Sequence, residues 1–167
     1  MKKILAMVAL IGLLAVPAFA GDAVDKGTLW ITGEASVTTQ LDPGQGTVMA
    51  LDAIGNYFII DKLAIGGELG VTSVSNGASE TAYNVGANVL YAFDLDKAIY
   101  PFVTATVGML GGEDDSLMYL KAGGGVNWAV KDNIGVRADL LYNWLNADPE
   151  AVTYLTLAAG FVGIFDL

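Results

Sequence analysis

The sequence predicts an all-β fold: an eight-stranded antiparallel transmembrane β-barrel, an up-and-down meander that follows an N-terminal signal peptide. Three observations carry this expectation. Apolar and polar residues alternate with period 2, not 3.6, along eight segments of the chain. The stretches between them are alternately short and slightly longer, and the longer ones are rich in Gly, Asp, Asn or Pro, as turns require. The polar phase of the segments is rich in Gly, Thr, Ser and Asn and poor in charge, unlike a face that meets bulk water.

The chain opens with Lys2 and Lys3, then an apolar run from Ile4 to Val16, then Pro17 and the small-x-small triplet Ala18-Phe19-Ala20. This is the pattern of a secretory signal peptide, with cleavage expected after Ala20. The run is short for a membrane-spanning helix, which is the competing reading. Residues 1–20 are thus assigned as signal peptide and residues 21–167 as the barrel domain.

The strands follow in order. Thr28 to Thr38 sets Leu29, Ile31, Gly33, Ala35 and Val37 against Trp30, Thr32, Glu34, Ser36 and Thr38. Thr47 to Phe58 sets Met49, Leu51, Ala53, Gly55 and Tyr57 against Ala50, Asp52, Ile54 and Asn56. Leu63 to Ser73 sets Ile65, Leu69 and Val71 against Glu68 and Thr72; Ala82 to Phe93 sets Tyr83, Val85, Ala87, Val89 and Tyr91 against Asn84, Gly86 and Asn88. Ile99 to Leu110 sets Val103, Ala105, Val107 and Met109 against Thr104, Thr106 and Gly108. Leu117 to Val130 sets Met118, Leu120, Ala122, Val126 and Trp128 against Lys121, Gly123, Gly125 and Asn127. Ile134 to Leu145 sets Val136, Ala138, Leu140, Tyr142 and Trp144 against Arg137, Asp139 and Asn143. Val152 to Leu167 sets Leu155, Leu157, Ala159, Phe161, Phe165 and Leu167 against Thr156, Gly160 and Asp166. Trp30, Ile54, Phe102 and Ile164 break the alternation, being apolar on the polar phase.

Composition closes many routes to chemistry. The 167 residues include 18 acidic and 8 basic side chains, no His and no Cys. Without Cys there is no disulfide frame and no thiolate. Without His there is no Ser-His-Asp triad and no imidazole acid or base. A net charge of −10 argues against nucleic acid, whose phosphates need Lys and Arg. Removing Lys2 and Lys3 leaves 6 basic and 18 acidic residues, a net charge of −12. The reading is therefore of a non-enzyme with no cofactor and no metal.

Two architectures share the alternation. A soluble carrier turns its apolar face inward around an apolar ligand; a membrane barrel turns it outward to lipid. The membrane reading is favoured by the place of the charges and aromatics. Glu34, Asp52, Glu68, Lys121, Arg137 and Asp139 all fall mid-strand on the polar phase. Tyr57, Tyr91, Trp128 and Phe165 lie on the apolar phase near the turns, and Tyr83, Tyr142 and Trp144 near the loops, as two interfacial girdles would. With both termini on one side, the short turns face the periplasm and the loops face outward. The loops then carry Asp42, Glu80, Glu113, Asp114, Asp115, Asp148 and Glu150 without Lys or Arg.

Hairpin symmetry about residue 60 places Asp52 opposite Glu68, and symmetry about residue 43 places Glu34 opposite Asp52. Three carboxylates then share a layer, with Arg137 as the main counter-ion and Lys121 nearby, because a guanidinium serves two carboxylates at once. The structural reading is that this cluster fills and stiffens the barrel, since eight strands leave room for side chains only. The functional one is a narrow proton or ion path, or a carboxylate pair acting as general acid and base. Glu113, Asp114 and Asp115 are candidates for weak divalent-cation contact, bridging to lipopolysaccharide phosphates. Glycines in alternate barrel positions are expected to make room for inward Arg and Tyr side chains.

The run Tyr57-Phe58-Ile59-Ile60-Asp61-Lys62-Leu63-Ala64-Ile65-Gly66-Gly67-Glu68-Leu69 resembles the second hairpin of small outer-membrane β-barrel proteins of the opacity and attachment-invasion group. Asp132-Asn133-Ile134-Gly135-Val136-Arg137-Ala138-Asp139-Leu140-Leu141-Tyr142 resembles that group's penultimate strand, and Tyr100-Pro101-Phe102-Val103 its fifth-strand start. The resemblance implies an outer-membrane location, contact with lipid and lipopolysaccharide, a monomer, and recognition of the C-terminal strand by the barrel-insertion machinery. Members typically end in Phe; this chain ends Phe165-Asp166-Leu167. Lipid-A-modifying barrels and outer-membrane proteases resemble the same architecture but rely on a catalytic His. The function expected is structural or surface-interacting, the alternatives being a narrow channel for small or apolar solutes and the soluble carrier.

Overall fold

The computed structural model describes residues 23–42, 47–75, 79–95, 98–111, 116–131, 133–146 and 151–167. The signal peptide expected over 1–20 lies outside them, as do Glu113, Asp114 and Asp115. Among the described residues the chain forms eight strands: β1 (Thr28–Asp42), β2 (Thr47–Ile60), β3 (Leu63–Ser75), β4 (Ser79–Ala92), β5 (Ile99–Gly111), β6 (Ser116–Lys131), β7 (Ile134–Asn146) and β8 (Val152–Asp166). Each pairs antiparallel with the next, and β8 closes on β1 through pairs such as Leu29↔Phe165 and Ala35↔Ala159.

All eight strands fall where the alternation puts them. The differences lie at the ends. β1 runs on to Asp42 rather than Thr38, β3 to Ser75 rather than Ser73, and β4 starts at Ser79 rather than Ala82. Alternation marks only the part of a strand that separates two environments; the hydrogen-bonded ladder continues beyond it without needing a pattern.

The polarity is inverted relative to a soluble domain. Leu157, Leu69 and Val126 point outward and are 64%, 63% and 41% exposed, whereas Glu68 and Arg137 are 3% and 2% exposed. A soluble carrier requires the reverse, so the apolar-ligand carrier does not fit this barrel. Closure leaves no unpaired strand edge, so the backbone is satisfied within the ring, which is the condition for crossing a bilayer.

One register differs from expectation. Asp52 lies opposite Gly70, and Glu68 opposite Ile54, because the β2–β3 hairpin is centred on residue 61 and not on residue 60. The turn is the two-residue Asp61-Lys62, with Lys62 at φ 69°, and a one-residue irregularity beside it brings inward residues back opposite inward residues, so that partners lie two positions on from a turn centred on residue 60. Glu34 does lie opposite Asp52, as symmetry about residue 43 requires.

The residues that break the alternation are explained by where they meet. Trp30, Ile54, Phe102 and Ile164 are all buried on the inside. Trp30, Phe102 and Ile164 belong with Phe58, Leu90, Tyr100 and Val162 to an apolar cluster in the turn half of the lumen. Trp30 packs edge-on to Phe58 and Tyr100, with centroids 5.1 and 6.2 Å away. Ala23 and Val24 tuck in beneath. The Trp30 indole N–H donates to the Ala23 carbonyl at 2.7 Å, and the Lys62 amide donates to the Val24 carbonyl at 2.7 Å. The segment before β1 thus stoppers one mouth of the barrel and braces the β2–β3 turn.

Candidate functional site

Above the apolar stopper the lumen is polar. All six charges expected on the polar phase point inward, but they form two groups rather than one. In the first, Arg137 on β7 holds Asp139 on its own strand, with Nε donating to both carboxylate oxygens at 3.0 and 2.8 Å and Nη2 at 2.7 Å. Its Nε is 3.8 Å from Glu34 Oε2 on β1. The two meet across β8, where Arg137 and Glu34 both pair with Gly160. A Cβ on Gly160 would lie 2.7 Å from the Glu34 Cβ and 2.3 Å from the Gly33 carbonyl oxygen, so only glycine fits between them. The guanidinium also sits 4.3 Å from the centroid of the Phe102 ring, which couples this group to the stopper below.

The second group centres on Glu68 of β3. Lys121 Nζ lies 2.6 Å from Glu68 Oε1, reaching across from β6. The Tyr119 hydroxyl donates to the same oxygen at 2.6 Å, and Asn84 Nδ2 donates to it at 3.1 Å. The other hydrogen bond of that amide goes to Asp52 Oδ1, at 3.0 Å. The three carboxylates of β1–β3 are therefore not a shared layer under Arg137. Arg137 serves Glu34 and Asp139, while Lys121 serves Glu68. The two-residue shift of the β2–β3 hairpin takes Glu68 out of line with Asp52, and Lys121 reaches Glu68 across the lumen.

Tyr119 and Asn84 are the linking residues that charge patterning passes over. The signal for Tyr119 is indirect: it is an aromatic on the polar phase, facing glycines on neighbouring strands. A Cβ on Gly86 or Gly108 would fall 2.5 Å from its hydroxyl, so these two positions make the space it fills.

In the loop half a cavity of about 280 Å³ remains. Its walls include Glu34, Asp52, Asn84, Tyr119 and Lys121, with Leu110, Leu141 and Val152 among the apolar ones. On the outside, Tyr57, Tyr83, Tyr91, Trp128 and Tyr142 are exposed, and Trp144 and Phe165 partly so. Tyr57 and Phe165 flank Leu29 near the turns, and Tyr91 pairs with Leu63 there; Tyr83 pairs with Gly111 at the loop end. Among the described residues no group of three or more acidic side chains is placed to hold a metal ion.

The sequence matches no protein-family model and no curated protein. Solved structures do match the fold. The neisserial surface protein NspA superposes with a TM-score of 0.67 at 17% identity, over 85% of this chain and 100% of that one. The chain has the fold of the small outer-membrane barrels. Ail, the attachment invasion locus protein of Yersinia pestis, in its complex with the heparin analogue sucrose octasulfate, gives a TM-score of 0.54 at 16% identity, over 84% of this chain and 99% of that one. The outer-membrane enzyme PagL gives 0.63 at 15% identity, over 77% of this chain and 97% of that one. These likenesses agree with the hairpin resemblance read from the sequence, and one architecture hosts both surface proteins and an enzyme.

Proposed function

We propose that this chain is a small, monomeric, non-enzymatic integral protein of the outer membrane with a structural or surface-interaction role. Its loops face outward and its termini face the periplasm. It contacts lipid and lipopolysaccharide through its outer face and enters the membrane through the barrel-insertion machinery. One observation carries the reading: the apolar side chains face out, while the lumen is filled by ion pairs above and a hydrophobic stopper below. A lumen so filled holds the barrel rigid and leaves no wide path through it. The aromatics at the two ends support the depth at which it sits. The acidic Glu113, Asp114 and Asp115 bridge to lipopolysaccharide phosphates through divalent cations.

The test is heat-modifiable gel mobility of the detergent-solubilised protein, followed by planar-bilayer recording. The expected result is a compact, heat-sensitive band and no steady conductance. Sustained single-channel steps would favour the narrow-channel reading, for which the loop-half cavity is the supporting feature.

A further inference from the structure

Among the described residues six buried side-chain acceptors are left without donors, and two of them, on Glu34 and Asn84, belong to residues that line the loop-half cavity. Glu34 and Asn84 are each 6% exposed. Glu34 Oε2 accepts no hydrogen bond, and its ion-pair partner Arg137 stands 3.8 Å away while held at 2.7 Å by Asp139. Asn84 turns its amide hydrogens to Asp52 and Glu68, which leaves its Oδ1 without a donor. Orphaned buried acceptors of this kind call for a partner that brings hydrogens.

Charge says which partner. Lys121 is committed to Glu68 at 2.6 Å and Arg137 to Asp139 at 2.7 Å, so Glu34 and Asp52, opposite each other in register on the cavity wall, share no cation of their own beyond the 3.8 Å approach of Arg137 to Glu34. Water would supply hydrogens but no charge. A bare metal ion is disfavoured by the aliphatic walls at Leu110, Leu141 and Val152, and by the lack of a metal-holding acidic group among the described residues. An ammonium has three donors and one charge. The cavity volume of about 280 Å³ sits at the lower edge of small-ligand pockets.

The geometry points to a binding site for a small primary ammonium ion on a short apolar chain, its N–H groups donating to Glu34, Asp52 and Asn84 and its chain lying against Leu110, Leu141 and Val152. The closed wall of strands separates this cavity from the bilayer, so the occupant is a free amine and not a lipid headgroup. The assignment goes beyond the architectural role and does not depend on which way the loops face.

The experiment titrates n-butylammonium chloride into the folded full-length barrel in detergent and reads amide chemical shifts. Saturable shifts confined to the lumen-facing ends of β1, β2 and β4 are expected, with affinity at least tenfold above that for n-butanol or sodium butyrate. Glu34→Gln weakens it at least tenfold. Leu110→Trp, which keeps every carboxylate but fills the cavity, abolishes it. If Glu34→Gln loses its heat-modifiable mobility, Leu110→Trp and Asn84→Ala carry the test. Shifts that do not saturate, that n-butanol reproduces, or that survive Leu110→Trp would overturn the site, since they would report cations gathered by the acidic loops. Competition by added phosphatidylethanolamine would overturn the free-amine assignment in favour of a headgroup.

Discussion

Lys121 on β6 and Glu68 on β3 meet across the lumen at 2.6 Å, and their side chains are 17% and 2% exposed. Removing one charge strands the other away from water. Lys121→Ala is expected to cost about 3 kcal/mol in urea unfolding from lipid vesicles, while Lys121→Met combined with Glu68→Leu recovers most of that loss. Equal losses for the single and double variants would contradict a direct coupling.

Arg137 is held more tightly than Lys121, by three contacts to Asp139 and one to Glu34. Arg137→Ala is expected to lower stability by about 3–5 kcal/mol. Arg137→Lys restores only part of it, because an ammonium does not reproduce the planar fork. Thermal shift of the gel-mobility transition measures both.

The inverted polarity makes a prediction about an outer position. Leu69→Arg places a charge on an outward, well-exposed position of the apolar belt and is expected to cost about 2–4 kcal/mol in a bilayer. The penalty should shrink in short-chain detergent, which tracks the lipid and not the fold.

Two glycines separate close approach from open space. A Cβ on Gly66 would lie 1.8 Å from the Gly55 carbonyl oxygen, whereas one on Gly33 meets nothing within 4 Å. Gly66→Ala is expected to destabilise by about 3 kcal/mol or more, since backbone must move. Gly33→Ala should stay within about 0.5 kcal/mol of the parent. Refolding yield into vesicles ranks them.

Trp30→Ala empties the centre of the stopper and removes the indole bond to Ala23. A loss of about 3–5 kcal/mol is expected, together with conductance that the parent lacks. Bilayer recording of the refolded variant checks the second part.

The strands and their inward phase were legible because a barrel imposes period 2 on every segment that divides lipid from lumen. Trp30, Ile54, Phe102 and Ile164 stood out as violations, yet alternation says nothing of where violations converge, so the stopper became visible only in three dimensions. The pairing of the charges was harder still. Moving the centre of the β2–β3 hairpin from residue 60 to residue 61 leaves the alternation of both strands intact, yet it takes Glu68 from opposite Asp52 to opposite Ile54. Glu34 facing Asp52 was readable because the β1–β2 register over the described residues runs without a shift about residue 43.

The ring is fastened by the most distant parts of its own chain. Thr38 and Thr156 share a hydrogen bond of 2.7 Å although 118 positions separate them, and the Leu167 amide reaches the Gly27 carbonyl at 3.3 Å. That seam has nothing to zip against until the last strand arrives. Assembly is therefore bound to be slow and concerted at its final step, and a chain cut in one of the longer loops should still join, because the two fragments would carry opposite halves of the clasp.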